Sequence, residues 1–467
     1  MPYSNFSSQR RQIESVRRQF GQADGLPFDQ VLSAEQIEEA LRAENVSWRE
    51  IVFTPVVTLW AFLSQMMDPD SSCRAAVARV LGWLVANQQP TCSPHTDPYC
   101  KARQRLPEGL LQRLTRQTGR RLSNDALNDW RWKQRRVKVV DGSTVSMPDT
   151  PENQAAYPQS RTQKPGVGFP IARIVVVFCL ACGTVIDAAL GPYKGKKTGE
   201  TALLRGLHDA FEPGDVLLAD RGFSGYWDLA RCTQGGVDFV VRQNQHRHTD
   251  FRTGTRLGTD DHLIVLKKPK QRPDWMDKET HQGMPNELTL REVRVRVAVP
   301  GFRSQIIDIV TSLLDAETYT KADLAQLYRA RWHAELDLRN LKVTLGMDVL
   351  RCKSPAMVRK EFWTHLLAYN LVRTVMAQAA HETGLLPREI SFKATVQGLR
   401  AMATYLECLP EDRHMDIHLI LWGFIANHQV MNRPDRIEPR KIKRRPKSYR
   451  LLNVPRREAQ AALRQAS

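Results

Sequence analysis

The chain has 467 residues, of which 42% are hydrophobic and 25% charged, so it is long enough for two to four domains with apolar cores. Lys and Arg number 68 against 50 Asp and Glu, and the resulting net charge of +18 favours a polyanionic partner such as nucleic acid, the alternative being a basic surface that only aids solubility. These features exclude a disordered polar chain, and the absence of a run of about 18 apolar residues excludes a transmembrane helix.

Residues 1–125 are predicted to form an all-helical domain. Ser33 and Gln36 have capping-box spacing, and Thr54 followed by Pro55 is typical of a helix start. Four arginines on a further predicted helix favour a DNA-binding role: Arg10, Arg11, Arg17 and Arg18. On composition alone, a helical packing domain fits equally well. The N-terminus lacks an apolar signal segment, so we expect a cytoplasmic protein with free thiols.

Residues 126–243 and 314–395 are predicted to be two parts of one α/β domain. Its strands are predicted at Val137–Val140, at two places within 173–190, at Val216–Ala219 and at Val237–Val241. Residues 244–313 contain two alternating stretches and are predicted to be a β-rich insertion. Residues 396–467 are predicted to be a helical C-terminal region with a basic tail, either a phosphate-binding arm or a solvated one.

Two acidic residues, Asp141 and Asp220, each follow a predicted strand, and a third, Glu335, lies on a predicted helix. The carboxyl ends of strands are where ligands gather in α/β sheets. Three carboxylates brought together would repel one another, whereas two Mg²⁺ ions would hold them ionised, and oxygen ligands suit Mg²⁺ or Mn²⁺. Taken singly, Asp141-Gly142 also fits a turn, Asp220 a loop ion pair and Glu335 a solvated helix face.

One helix beginning near Lys321 is predicted to carry Tyr328, Arg331, Glu335 and Lys342. At about 100° per residue, these four side chains share one narrow face of an ideal helix. A face with one carboxylate, two cations and a phenol suits a metal ion beside a phosphate.

Three motifs together resemble the DDE transposases of bacterial insertion sequences. They are Asp141-Gly142-Ser143-Thr144, Leu218-Ala219-Asp220-Arg221-Gly222-Phe223 and the spacing of Tyr328, Arg331, Glu335 and Lys342. That spacing resembles the signature of the insertion-sequence-4 family, and the resemblance covers about residues 30 to 450. It implies an α/β ribonuclease H-like catalytic core interrupted by a β-rich insertion, with the first Asp on strand one, the second at strand four and the Glu on a late helix.

The resemblance also implies an activity: cut-and-paste transposition by a Mg²⁺-dependent enzyme acting on the inverted-repeat ends of its own element and on target DNA. Asp141, Asp220 and Glu335 would bind two Mg²⁺ ions, for which Mn²⁺ can substitute. Phosphates of double-stranded DNA would be contacted by Tyr328, Arg331 and Lys342. A synapsed homodimer is expected, in the bacterial cytoplasm and at the nucleoid when bound to DNA.

Two alternatives stay open at this point, a ribonuclease H-like nuclease that cuts without joining and a catalytically silent, transposase-derived DNA-binding protein.

Two further DNA contacts are predicted. Some members of the resembled family hold a flipped base against a Trp of the insertion, and Trp275 is the single Trp between residues 244 and 313. A packing role is the alternative for Trp275. A Gly-flanked loop with Lys194, Lys196 and Lys197 is predicted to meet the DNA backbone, the alternative being a solvated loop.

Overall fold

A computed structural model of the chain describes residues 32, 34–46, 52–86, 88–297, 305–408, 414–430 and 451–466. The chain divides into two compact units, and each takes its described residues from three stretches. The first unit draws on Met1–Arg136, Val177–Asp187 and Glu335–Val430, and the second on Val137–Val176, Ala188–Ala334 and Met431–Ser467. Three predicted features lie outside the described residues: the arginine-bearing helix near the N-terminus, the Ser33 cap and most of the basic tail.

Fifteen helices lie in the described part of the chain. They are α1 (Ala34–Ala43), α2 (Pro55–Met67), α3 (Cys73–Ala86), α4 (Asp97–Arg105), α5 (Glu108–Asn124), α6 (Pro151–Ala156), α7 (Glu200–Arg205), α8 (Tyr226–Gln234), α9 (Lys278–Gly283), α10 (Lys321–Ala330), α11 (Trp332–Arg339), α12 (Pro355–Thr383), α13 (Phe392–Cys408), α14 (His414–Asn427) and α15 (Arg456–Ala466). A π-helical segment, Asn340–Thr344, follows α11.

The described strands number nine. They are β1 (Val137–Ser146), β2 (Ile171–Cys179), β3 (Val185–Pro192), β4 (Val216–Ala219), β5 (Asp238–Arg242), β6 (Thr255–Gly258), β7 (Asp261–Lys267), β8 (Glu287–Val297) and β9 (Gln305–Thr311).

In the first unit, the predicted helix start at Thr54 is present. The Thr54 hydroxyl accepts a hydrogen bond from the Val57 N–H at 3.3 Å, and Pro55 occupies the first turn, where no N–H is needed. The long helix α12 is buried along most of its length and packs against α2, α5, α13 and α14. This apolar helical packing accounts for the core of the unit.

The strands form one mixed sheet in the order β3-β2-β1-β4-β5-β9-β8-β7-β6. Strands β1, β4 and β5 are parallel, and from β5 through β9, β8, β7 and β6 each pairing is antiparallel. A mixed sheet with helices is consistent with the predicted ribonuclease H-like core. Strands β6 to β9 lie within residues 244–313 and extend the core sheet through β9.

A buried ion pair lies at the start of β1 and β4. Lys138 Nζ is 2.6 Å from Asp215 Oδ2 and donates to the Ala210 carbonyl at 2.6 Å. Both side chains of the pair are almost fully buried. A buried Lys–Asp pair fixes its two strands strongly, because shifting either strand would leave an unpaired charge inside the protein.

Two local predictions are wrong. Strand β1 continues through Asp141 and Gly142 to Ser146, so the predicted turn there is a strand instead. The single helix predicted from Lys321 is divided at Arg331. At the division, Arg331 N–H donates to Tyr328 O at 3.1 Å and Ala334 N–H to Arg331 O at 3.0 Å, so the hydrogen bonds tighten to three-residue spacing.

The division has a consequence for the polar face. Tyr328 lies on α10, Glu335 on α11 and Lys342 in the π-helical segment, so a constant 100° per residue does not apply across the four positions.

Within the described ranges, no helix is long and apolar enough to cross a bilayer.

Candidate active site

Asp141 lies in β1, and Asp220 directly follows the end of the neighbouring parallel strand β4. Val137 pairs with Val216 and Val139 with Leu218, and the same offset carried two residues further brings Asp141 level with Asp220. Paired strands lie about 4.8 Å apart, and residues two apart point to the same face. We infer that both carboxylates emerge side by side on one face, where β1 passes from buried to half-buried residues and β4 ends.

The Asp141 carboxylate lies beside a cation. Arg331 Nη1 is 3.7 Å from Asp141 Oδ2, and the two side chains are 17% and 20% exposed. The other oxygen, Oδ1, accepts the Gly142 N–H at 2.9 Å. The predicted phosphate ligand Arg331 therefore contacts a predicted catalytic carboxylate in this structure.

The Asp220 carboxylate is contacted by Tyr328, whose hydroxyl donates to Asp220 Oδ1 at 3.2 Å. Burial, together with the negative charge of Asp220, raises the pKa of the Tyr328 phenol well above its usual range. The phenol therefore keeps its proton and acts as a donor to Asp220 at physiological pH.

Glu200, at the start of α7, is a neighbour of this site that the sequence analysis missed. A Cβ at position 142 would lie 2.4 Å from Glu200 Cδ and 2.6 Å from Oε1, so the Glu200 carboxyl lies directly against the Gly142 backbone. A side chain at position 142 would displace the Glu200 carboxyl from this place, whereas glycine leaves the space open. The signal in the sequence is Gly142 itself, since a glycine directly after Asp141 fits a close approach by another part of the chain as well as a turn.

The other two residues of the predicted pattern, Glu335 and Lys342, belong to the first unit. Lys342 Nζ forms an ion pair at 3.0 Å with Asp348, whose side chain is largely exposed. No group of three or more His, Cys, Asp or Glu residues that could hold a metal ion is found in the described ranges. The pair Asp141 and Asp220 still offers the hard carboxylate oxygens that suit a divalent cation such as Mg²⁺.

Trp275 is half-buried, and one face of its ring is covered. The Arg205 guanidinium lies 3.7 Å from the ring centroid and forms a bidentate pair with Asp228, at 2.7 and 2.9 Å. Such a cation–π contact stabilises the ring orientation. The predicted base stacking on Trp275 would therefore be confined to the opposite face.

The predicted lysine loop is exposed at all three positions, Lys194, Lys196 and Lys197. At its far end, Arg173 donates to the Thr198 carbonyl at 2.9 Å and so ties the loop to β2. Three exposed ammonium groups on an anchored loop form a surface that suits a polyanion.

Comparisons with known proteins agree with the motifs. The family described as Transposase DDE domain matches residues 132–371. The transposase InsG of insertion sequence element IS4 from Escherichia coli K12 is 28% identical over 404 residues, covering 84% of this chain and 85% of that protein. A shorter match, 35% identical over 68 residues, links 15% of the chain to 18% of the putative transposase InsL of element IS186A from the same organism.

Among solved structures, a piggyBac transposase synaptic complex with hairpin DNA is similar at 9% identity and a TM-score of 0.40, over 88% of this chain and 85% of that one.

Proposed function

The chain belongs to the insertion-sequence-4 family of DDE transposases, and we propose that it binds the inverted-repeat ends of its own insertion sequence and catalyses DNA cleavage and strand transfer by a cut-and-paste route. The members of this family are DNA transposition enzymes that use divalent metal ions. The ribonuclease H-like core, the use of two Mg²⁺ ions and the cytoplasmic location are parts of the same proposal. A homodimer acting on two ends is the proposed assembly.

The observation that carries the proposal is the β1–β4 register, whose offset, continued past Val139 and Leu218, puts Asp141 level with Asp220. Two carboxylates on one face of neighbouring strands repel each other unless cations lie close by. Here the Arg331 guanidinium lies beside Asp141 and the Tyr328 hydroxyl donates to Asp220. This arrangement suits a site that takes up divalent cations.

We assign the metal ligands to Asp141, Asp220 and Glu335. Divalent cations bound to these carboxylates would activate the attacking water or hydroxyl and stabilise the leaving oxygen of the phosphodiester. The protein's own side chains orient the site. Tyr328 keeps its proton and fixes one oxygen of Asp220, while the Gly142 N–H fixes one oxygen of Asp141.

DNA binding is assigned to the cationic side chains around the site. Arg331 and Lys342 are donors that suit phosphate oxygens, and each is paired with an Asp. We propose that DNA phosphates replace or share these pairs when an end binds, with Tyr328 contacting the same strand. The loop of Lys194, Lys196 and Lys197 would contact the duplex backbone.

Trp275 is the proposed stacking platform for a flipped base, through the ring face opposite Arg205. The guanidinium that covers one face would hold the ring in a fixed orientation, which lowers the entropic cost of stacking. This role depends on a hairpin route of cleavage and is separate from the role of the carboxylates.

The test is end cleavage by purified protein on DNA that flanks its coding region, with Mg²⁺ or Mn²⁺. Asp141→Ala, Asp220→Ala and Glu335→Ala should each lose cleavage by at least about a thousandfold while still binding end DNA. Asp308→Ala is the matched control, since Asp308 is a carboxylate of the second unit, on β9, and pairs with Arg294 on β8. Retained cleavage in any of the first three variants contradicts the assignment.

Strand-transfer products from pre-cleaved ends separate the proposal from its alternatives. A nuclease that only cuts gives no joined products, and a silent DNA-binding protein leaves end DNA intact while still binding it.

A further inference from the structure

A buried carboxylate lies two residues after Glu335 on α11. Asp337 is almost fully buried, and each of its oxygens accepts from a different guanidinium: Oδ1 from Arg373 and Oδ2 from Arg388 Nη1 at 2.6 Å. Residues two apart on a helix point about 200° apart, so Asp337 and Glu335 lie on opposite sides of α11. The contacts of Asp337 therefore set how far the helix is rotated about its axis.

Both arginines are held by other elements of the same unit. Arg373, on α12, donates from Nε to the Tyr369 hydroxyl at 2.8 Å. Arg388 donates to the carbonyls of Cys179 and Leu180, at 2.9 and 2.7 Å, in the turn between β2 and β3. The carboxylate thus connects α11 to a buried helix and to a strand turn at once.

Helix α11 needs such a contact because its local structure does not define its rotation. It has eight residues, begins directly after the division at Arg331 and runs into the π-helical segment Asn340–Thr344. A helix this short is marginal by itself, and a π turn changes the phase of the residues that follow. Tertiary contacts on its buried side decide where its opposite side points.

We propose that Asp337, clamped between Arg373 and Arg388, is a positioning residue that holds Glu335 at the angle required for metal binding and catalysis. The inference rests on the proposed role of Glu335 as a catalytic carboxylate. Loss of the clamp frees α11 to rotate, and a misplacement of about 1 Å at a reacting group costs up to about a hundredfold in rate. Asp337 itself does not touch DNA or metal in this account.

The test compares Asp337→Asn with Asp187→Asn in the full-length protein. The first change keeps the shape of the side chain but leaves only one oxygen to accept from two guanidinium groups. The second is the matched control, because Asp187 is a buried carboxylate on β3 of the same unit and pairs with Arg116 at 2.8 Å. Arg388→Met breaks half of the clamp without altering α11 and answers the same question if Asp337→Asn does not fold.

Two readouts separate positioning from a general loss of stability. Hydrogen–deuterium exchange of the peptide covering 332–344 should be at least about tenfold faster in Asp337→Asn than in wild type, since a charged hydrogen bond is lost. The Mg²⁺ concentration for half-maximal end cleavage should rise at least about tenfold, with the Kd for end DNA within about twofold of wild type. Asp187→Asn should change neither.

Unchanged exchange and unchanged Mg²⁺ requirement in Asp337→Asn, or equal changes in Asp187→Asn, would overturn the inference. Glu335→Ala separates this failure from failure of the proposed function. An active Glu335→Ala protein rejects the proposed function and the clamp's role with it. If Glu335→Ala is inactive while Asp337→Asn keeps the wild-type Mg²⁺ requirement, only the positioning role of Asp337 is rejected.

Discussion

Replacing Arg331 with Met should change metal binding and DNA binding in opposite directions. Arg331 Nη1 lies 3.7 Å from the Asp141 carboxylate, so a cation that binds Asp141 must compete with the guanidinium. At that distance Coulomb's law gives about 1 kcal/mol in water and about 4.5 kcal/mol at an effective dielectric constant of ~20. Both side chains are four-fifths buried, but desolvation offsets much of the attraction, which leaves about 1–2 kcal/mol.

We therefore expect Arg331→Met to bind Mn²⁺ about fivefold to thirtyfold more tightly than wild type does. The measurement is calorimetry without DNA. Affinity for end DNA should fall, and the slope of its salt dependence should decrease by about one unit for the lost phosphate contact.

Arg294→Met is the matched control, since Arg294 on β8 pairs with Asp308 on β9, and it should leave Mn²⁺ affinity unchanged. Equal or weaker Mn²⁺ binding by Arg331→Met would refute the competition between guanidinium and metal.

Two other substitutions test the site and its scaffold. Tyr328→Phe removes the donor to Asp220 and should lower the rate of end cleavage about tenfold at saturating Mg²⁺. Burial raises the pKa of Tyr328, so the phenol keeps its proton as pH rises. Between pH 7 and about 10, the cleavage rates of wild type and Tyr328→Phe should therefore depend on pH in the same way. Asn370→Ala should lower the free energy of unfolding, measured by urea denaturation, by about 2–4 kcal/mol. The buried Asn370 side chain forms hydrogen bonds with Thr184 and Val185, at the start of β3, and with the Thr115 carbonyl of α5. A loss under about 1 kcal/mol would contradict that role.

Local signals in the sequence were sufficient for many elements. The start of α2 at Pro55 and of α10 at Lys321 depends on side-chain caps within four residues, Thr54 in one case and Thr320 with Asp323 in the other. The apolar runs at 137–140 and 216–219 likewise predicted buried strands, although β1 continues past Asp141 to Ser146. Family membership, which the comparisons confirm, was also readable, because it depends on residue types at fixed spacings.

The tertiary structure decided what those spacings could not. Strand β1 continues through Asp141-Gly142, and Glu200, 58 positions further along the chain, lies directly against the glycine backbone. The long helix divides at Arg331, where the guanidinium lies beside Asp141 of a distant strand.

Sequence by itself determined which residues carry charge, which stretches are apolar and where helices begin, because these depend on neighbours along the chain. The pairing of Tyr328 with Asp220 and the clamp on Asp337 depend instead on segments more than 30 residues apart meeting in space. Burial then makes such contacts strong, since an unpaired charge or donor inside the protein costs far more than one in water.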